Sequence, residues 1–409
     1  MELSKDFFNL LLDFGEDWQV TKVDSDHRLC VVTIHIEYCS DTYYDPRTYE
    51  VVSLYDHAPE RKFRHLDILQ YKCYISTRIP RVKCGDGSVL TILTDWCDSY
   101  SRHTYRFEEK VILTLQATKN QSKAAALIGT TPKVVNHIMH SSVERGLARR
   151  DLTNYSPGNV GIDEKLFKNG DEYITVLTHT YTGTVIDVCY GRSGDATKEL
   201  LTNTLSPKAL SEISTVTMDM WKPYINSIRE LCPNSEIIHD RYHLVAHLNK
   251  SIDDVRRKEV GENPILRNSR YALLKNAENR TDNQSELFEE IMKTTLSVTE
   301  VYNAKENFRG MFDATHNEKD GLLLLVEWAK NAFMKNITQL SKVVLMMLEH
   351  HKGVVNALIS NLTNATAERI NGKIQEVKSI ARGYNTFKQF RSAILFFEGG
   401  LSLFPLKRS

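Results

Sequence analysis

The chain has 409 residues, 41% of them hydrophobic, with 52 basic and 52 acidic side chains. At that length roughly two to four domains are expected, each with enough apolar material for a core. No stretch approaches the ~18 consecutive apolar residues of a membrane span, and no basic start with an apolar block reads as a signal peptide. Seven cysteines, an odd number without a secretory signal, argue against a disulfide scaffold. A soluble intracellular protein is the expectation.

The zero net charge excludes a uniformly basic nucleic-acid binder, but it conceals a strong polarity. Residues 1–60 carry 4 basic and 13 acidic side chains, residues 61–150 carry 16 and 7, and residues 361–409 carry 8 and 3. Two basic regions around an acidic middle can form a phosphate-binding footprint, because Lys and Arg displace condensed counterions from nucleic acid. Ordinary solvated surface would give the same count.

In chain order, Phe7 to Phe14 reads as a short amphipathic helix. Residues 19–39 and 66–94 alternate loosely and are rich in β-branched side chains, so both predict strands, the second broken by Pro80 and Gly85-Asp86-Gly87. From Phe107 the period becomes helical. Gln121 to Met139 has the form of a helix-turn-helix: Gly129 stops the first helix, Thr131 caps the second and Pro132 suits its first turn. Val134, Val135 and Ile138 then face inward, and Lys133, Asn136, His137 and His140 face outward, where a recognition helix meets a major groove. A plain helical hairpin is the alternative.

Arg149 to Gly158 reads as a linker. A β pattern returns in Val160–Asp163, which ends on a carboxylate, and in the hairpin Tyr173–His179 and Thr184–Tyr190. Asp195–Ile213 is helical. Thr215–Met218 is a strand ending at Asp219, Trp221–Leu231 a helix, and Glu236–His239 a strand ending at Asp240. Helical patterns then run from Tyr242 to about Leu358, and a last helix from about Asn364 to Arg382 carries Glu368.

The order strand, hairpin, helix, strand, helix, strand is that of a ribonuclease H-like fold, in which the first and fourth strands are neighbours and bring Asp163 beside Asp219. Adjacent carboxylates repel, and hard divalent cations relieve that cost. Two such ions about 3.5–4 Å apart can activate a water and stabilise the leaving oxygen of a phosphodiester. A carboxylate at a strand end can also simply cap the next helix. Asp240 sits one strand further from Asp163 and ranks below Asp219.

At these residues the sequence resembles bacterial insertion-sequence transposases of the DDE superfamily, close to the ISL-three family. The matching runs are Gly161-Ile162-Asp163-Glu164-Lys165 with Gly170 and Tyr173, Asp219-Met220 with Tyr224, and Asp240-Arg241-Tyr242-His243 with Asn249 and Val255-Arg256. The last comprises Asn364, Glu368, Asn371 and Lys373, then Lys378, Ala381-Arg382-Gly383-Tyr384, Phe387 and Phe390-Arg391.

The resemblance implies that Asp163, Asp219 and Glu368 form a catalytic, metal-binding triad holding two Mg²⁺ (or Mn²⁺) ions, with Asp240 and His243 in support. Since 149 residues separate Asp219 from Glu368, it also implies a helical insertion. The expected fold class is α/β (α+β multidomain). Its parts are a β-rich unit at 1–100, a helix-turn-helix domain at 101–150, a ribonuclease H-like core at 157–250 and 358–409, and an all-helical insertion at 251–357.

The implied function is that of a DNA transposase that binds terminal inverted repeats, cleaves the element ends and joins their 3′-OH groups to target DNA. A homodimer on paired ends and a cytoplasmic, nucleoid-associated location, with no membrane, are expected. Arg256, Arg257 and Lys258 at the entry to the insertion, with Arg369 and Lys373, are further DNA-contact candidates.

Two departures stand out. The family's N-terminal Cys-x-x-Cys zinc element is missing, leaving only an irregular set of Cys73, Cys84, His57 and His65, and Arg369 stands where a Gly commonly follows the Glu. A catalytically silent DNA-binding relative and a structure-selective nuclease are the alternative readings.

Overall fold

The computed structural model describes residues 5–12, 14–151, 155–168, 170–360, 365–381 and 383–405, without the side chains of 365–368 and 371. It divides into two compact units. One comprises Met1–Arg150, Ile380–Arg382 and Leu401–Ser409, the other Asp151–Ser379 and Gly383–Gly400. Among the described residues no helix is long and apolar enough to cross a membrane.

The first unit opens with α1 (Lys5–Leu12), followed by β1 (Trp18–Asp26), β2 (Val31–Tyr38), β3 (Tyr43–Tyr44), β4 (Val51–His57), β5 (Arg61–Arg64), β6 (Lys72–Thr77), β7 (Pro80–Lys83) and β8 (Val89–Thr91). These form two four-stranded sheets, β1-β2-β6-β5 and β3-β4-β7-β8. Both contribute to one core: Ile34, Phe63, Cys73 and Ile75 come from the first sheet and Val82 from the second, around Trp96. Cys73 and Cys84 are buried in this core, and burial pushes the Cys73 thiol up to about 12.

Three helices complete the unit: α2 (Tyr105–Thr118), α3 (Gln121–Ile128) and α4 (Pro132–Arg149). Each begins on a side-chain cap, because the first N–H groups of a helix have no partner within it. Thr104 accepts from Phe107 N, Asn120 from Lys123 N and Thr131 from Val134 N. Gly129 ends α3 at φ +69°, where a side chain would be strained. Glu108 on α2 and Arg145 on α4 form a buried ion pair of 2.7 Å.

His65 is buried here, its Nδ1 2.8 Å from the Thr104 hydroxyl. Burial, and then Arg64 and Arg106, hold its pKa down to about 4. In the unfolded chain the imidazole takes its proton near pH ~6.5. Stability from this group is therefore intact above that pH and falls between about 6.5 and 4, since only the unfolded state gains the proton. Lowering the pH from 7 to 5 should cost the wild type about 2 kcal/mol more than His65→Gln. Denaturation midpoints at the two pH values check this.

The second unit is built on a five-stranded sheet of order β11-β10-β9-β12-β13. Its strands are β9 (Asn159–Lys168), β10 (Glu172–His179), β11 (Thr184–Tyr190), β12 (Thr215–Met218) and β13 (Glu236–His239). β10 runs antiparallel to both of its neighbours, β9 and β11, whereas β12 runs parallel to both β9 and β13. β9 is longer than its apolar start suggests, so Asp163 lies within the strand and not at its end.

Val160 and Ile162 join a core with α5 (Gly194–Thr204), α6 (Pro207–Ser211) and α7 (Lys222–Leu231). The single helix expected over Asp195–Ile213 is divided at Ser206-Pro207, where Ser206 caps the new helix and accepts from Ala209 N.

Helices follow in succession: α8 (Arg241–Glu259), α9 (Arg270–Leu274), α10 (Asp282–Met292), α11 (Ser297–Ala314), α12 (Glu318–Met334), α13 (Thr338–Glu349) and α14 (His351–Ile359). They share a core including Leu248, Ile252, Phe308, Trp328 and Val344. This run leaves the sheet after β13 and comes back to it. Arg241, at the start of α8, donates to Ala357 O (3.3 Å) and Ser360 O (3.2 Å), and Asn356 Nδ2 donates to Ile237 O (3.0 Å). Gly353 makes the return possible, because a Cβ there would lie 2.5 Å from the buried His239 ring.

The chain then forms α15 (Ala365–Ile380) and α16 (Phe387–Glu398). Arg391 of α16 makes a two-pronged pair with Asp187 of β11, both contacts 2.7 Å. Phe390 stacks on Phe167 of β9 at 5.5 Å.

Candidate active site

Alternation along β9 sets the site. Val160 and Ile162 point into the core with α5–α7, so Gly161, Asp163 and Lys165 point to the opposite face. Gly161 leaves room for the Thr178 hydroxyl, which a Cβ would approach to 2.6 Å. The parallel register pairs Thr217 of β12 with Gly161 of β9. Continued by two residues, it carries Asp219 alongside Asp163.

One oxygen of each carboxylate is held by the backbone N–H that follows it. Glu164 N donates to Asp163 Oδ1 (2.8 Å) and Met220 N to Asp219 Oδ1 (2.6 Å). His243, on the first turn of α8, reaches both acids: its Nε2 is 3.8 Å from Asp163 Oδ1 and its Nδ1 3.7 Å from Asp219 Oδ2. Burial lowers the imidazole pKa, but Asp163, Asp219 and Asp240 outweigh it and leave His243 above its ordinary value. Lys165 Nζ lies 3.4 Å from Asp163 Oδ2. Asp240 is the N-cap of α8, accepting from Tyr242 N at 2.8 Å.

Beside this pair, Glu164 is raised above its ordinary value, first by burial and then by competing charges: Arg192 lowers it while Asp163 and Asp219 raise it. Arg192 Nη1 is 3.5 Å from Glu164, and its guanidinium lies 4.1 Å from the Tyr173 ring centre. The sequence reading gave Lys165 and Arg192 no role. Lys165 could have been found from the two-residue strand period, whereas Arg192 sits in a loop with no local signal.

Carboxylate oxygens are the donors Mg²⁺ prefers, and two of them on neighbouring strands fit such an ion. The third expected acid, Glu368, is on α15, and its side chain lies outside the described residues. Among the described residues no group of three or more His, Cys, Asp or Glu side chains gathers as a metal site. α15 is tied to β9 by Lys378 Nζ donating to Leu166 O (2.9 Å), and to the β10–β11 turn by Arg369 Nη2 donating to Thr182 O (3.4 Å).

Residues 160–394 match the model of a transposase family, the ISL3-type DDE transposases. The chain belongs to this family. The transposase is 24% identical over 365 residues to the transposase for insertion sequence element IS1557 of Mycobacterium tuberculosis, a match covering 82% of this chain and 81% of that one. It is 23% identical over 340 residues to the transposase for IS1001 of Bordetella parapertussis, covering 81% of this chain and 82% of that one.

The expected DNA contacts of the transposase fall into two groups. Lys133, His137, Arg257, Lys258 and Arg369 are exposed. Asn136 and His140 are half-buried, and Asn136 Oδ1 accepts from Gln121 Nε2 at 3.1 Å. Arg256 is held by Asp253 at 2.7 Å, and Lys373 by the buried Glu398 at 2.7 Å, so both have a structural partner already. Arg257 shares Asp253 at 2.8 Å but keeps its side chain 63% exposed.

Lys133, exposed, and Asn136, half-buried on the same face of α4, should give distinguishable variants. Lys133→Ala should weaken binding about equally on all DNA sequences and lower the salt slope by about one, the signature of a phosphate contact. Asn136→Ala should relax sequence preference instead. Binding isotherms on the element's own ends and on unrelated duplex, at several salt concentrations, separate the two.

Proposed function

We propose that this transposase binds the terminal inverted repeats of its insertion sequence, cleaves the element ends and joins their 3′-OH groups to target DNA. The observation that carries the reading is that Asp163 on β9 and Asp219, the residue following the parallel strand β12, are both reached by His243. In this reading the five-stranded sheet and its helices are a ribonuclease H-like core (157–250 and 358–409). The helices of 251–357 are an insertion that returns Glu368 to the site.

Asp163, Asp219 and Glu368 would hold two Mg²⁺ (or Mn²⁺) ions, which when bound would activate the attacking oxygen and stabilise the leaving one. The chain's own residues do the rest. The Glu164 and Met220 amides fix the rotamers of the two aspartates, so that their remaining lone pairs keep one direction. Lys165 and His243 offset the repulsion between like charges before any cation arrives. Asp240 fixes the first turn of α8 and thereby the position of His243.

Recognition of the ends is assigned to α3 and α4 in the 101–150 domain, with the β-rich 1–100 unit beside it in sequence. Lys133 and His137 are the leading contacts, and Asn136 and His140 lie at the edge of the same face. Arg257, Lys258 and Arg369 are assigned to DNA phosphates, and two copies are assigned to the two ends. The test is incubation of the full chain and Mg²⁺ with a duplex spanning one element end and its flank. A nick at the junction leaving a 3′-OH on the element supports the reading. Binding without a nick would favour a silent relative, and nicks scattered over unrelated branched DNA would favour a nuclease.

A further inference from the structure

α12 is apolar on two sides. Its inward side, Leu325, Trp328, Ala329 and Ala332, is buried in the helical core. Its outward side carries Leu322 (43% exposed), Leu323 (60%), Val326 (53%), Phe333 (38%) and Met334 (73%). A helix that is hydrophobic all round is normally covered all round. Scattered exposed leucines need no explanation, but five on one helix make a single stripe, since positions 322, 326 and 333 fall within about 40° of each other at 100° per residue. Leu323 and Met334 lie on one side of them, at about 100° and 120°, beyond Lys330 at about 80°. The stripe exposes on the order of 500 Å², near the upper limit for the largest patch on a monomer.

The order of residues along the stripe identifies what covers it. Leu322-Leu323 stands near the start of the helix and Phe333-Met334 at its end, so both pairs lie five to six residues from position 328. The exposed Glu327 and Lys330 lie on either side of nearly the same point. A two-fold axis through the middle of α12 therefore sets Leu322-Leu323 against the second copy's Phe333-Met334, and Glu327 against its Lys330. The aliphatic stem of Lys330 can then cover Val326. Such self-complementarity is what an isologous contact between identical surfaces requires. Two stripes together bury about 1,000 Å², the lower bound of a specific interface, before any polar rim is added.

We propose that the outward face of α12 is the surface on which two copies of this chain pair, antiparallel, about a two-fold axis. This supplies a contact surface for the paired-end reading above and rests on it only for the expectation that a second copy is present. Neither Asp163 nor Asp219 enters the argument.

The test is sedimentation equilibrium of the full chain, without DNA, for the wild type and four variants. Leu323→Lys and Glu327→Lys should each raise the dimer dissociation constant about tenfold or more, and Lys330→Glu should do the same. The double variant Glu327→Lys with Lys330→Glu should restore dimerisation, because each swapped charge meets its opposite across the axis. All these side chains are exposed, so the monomer's fold has no reason to change. A monomeric wild type, or a dimer unaffected by Leu323→Lys, would overturn the proposal. A dimer weakened by both single charge reversals but not restored by the double would overturn the antiparallel pairing. End cleavage by the wild type is read separately, so loss of that activity with an intact dimer would count against the functional reading alone.

Discussion

Asp163→Asn and Asp219→Asn are each expected to lower strand cleavage at the element ends by at least about 10³-fold, equivalent to about 4 kcal/mol of barrier. End binding should stay within about twofold. An amide keeps the size and one oxygen of the carboxylate but loses its charge, and a hard cation binds it poorly. Asn can still accept from the Glu164 or Met220 amide, so the local backbone has no reason to move. Asp240→Asn should do less harm, because Asp240 acts as the N-cap of α8 and Asn caps about as well as Asp. Single-turnover cleavage of an end duplex, read beside a binding isotherm, ranks the three. Cleavage by either of the first two at a rate comparable to wild type would remove that residue from the site. A larger loss for Asp240→Asn than for Asp219→Asn would reverse the choice of second acid.

Glu368→Gln is expected to abolish cleavage as fully as Asp163→Asn. Glu368, 149 positions beyond Asp219, can serve as a third acid only if the intervening helices end near their starting point. The Arg241 guanidinium on the last carbonyls of α14, and Gly353 against His239, bring them back to β13. From there α15 is tied to β9 through Leu166 O and to the β10–β11 turn through Thr182 O. Retained cleavage in Glu368→Gln, in the same single-turnover assay, would mean that α15 does not serve the site.

Several elements were legible because their sequence signals are local. The hairpin of β10 and β11 has alternation and a Thr182-Gly183 turn, and Gly129, Thr131 and Pro132 mark the break between α3 and α4 with stop, cap and first turn. Asp219 and Asp240 each follow a short β-branched run, so both strand ends were visible.

Other features depend on contacts distant in sequence. β4 has most of its side chains exposed, so it shows no inward apolar alternation, and β5 is mainly charged. Neither resembles an isolated strand, and both are held by pairing with β7 and β6. The extension of β9 beyond Asp163 was hidden for the same reason: Glu164, Lys165 and Lys168 interrupt the apolar run, yet β10 pairs with that whole stretch. On α12 the sequence shows apolar residues on two sides but cannot say which side meets the core. Leu322, Leu323, Val326 and Phe333 are on the outward side.

The most direct measurement of the metal-site claim is Mn²⁺ binding to the full chain on end duplex, followed by electron paramagnetic resonance of the free ion. The wild type should take up Mn²⁺, and Asp163→Asn and Asp219→Asn should each lose most of that uptake while still holding the duplex. Equal Mn²⁺ binding by the wild type and both variants would contradict the assignment of these two carboxylates as the metal site.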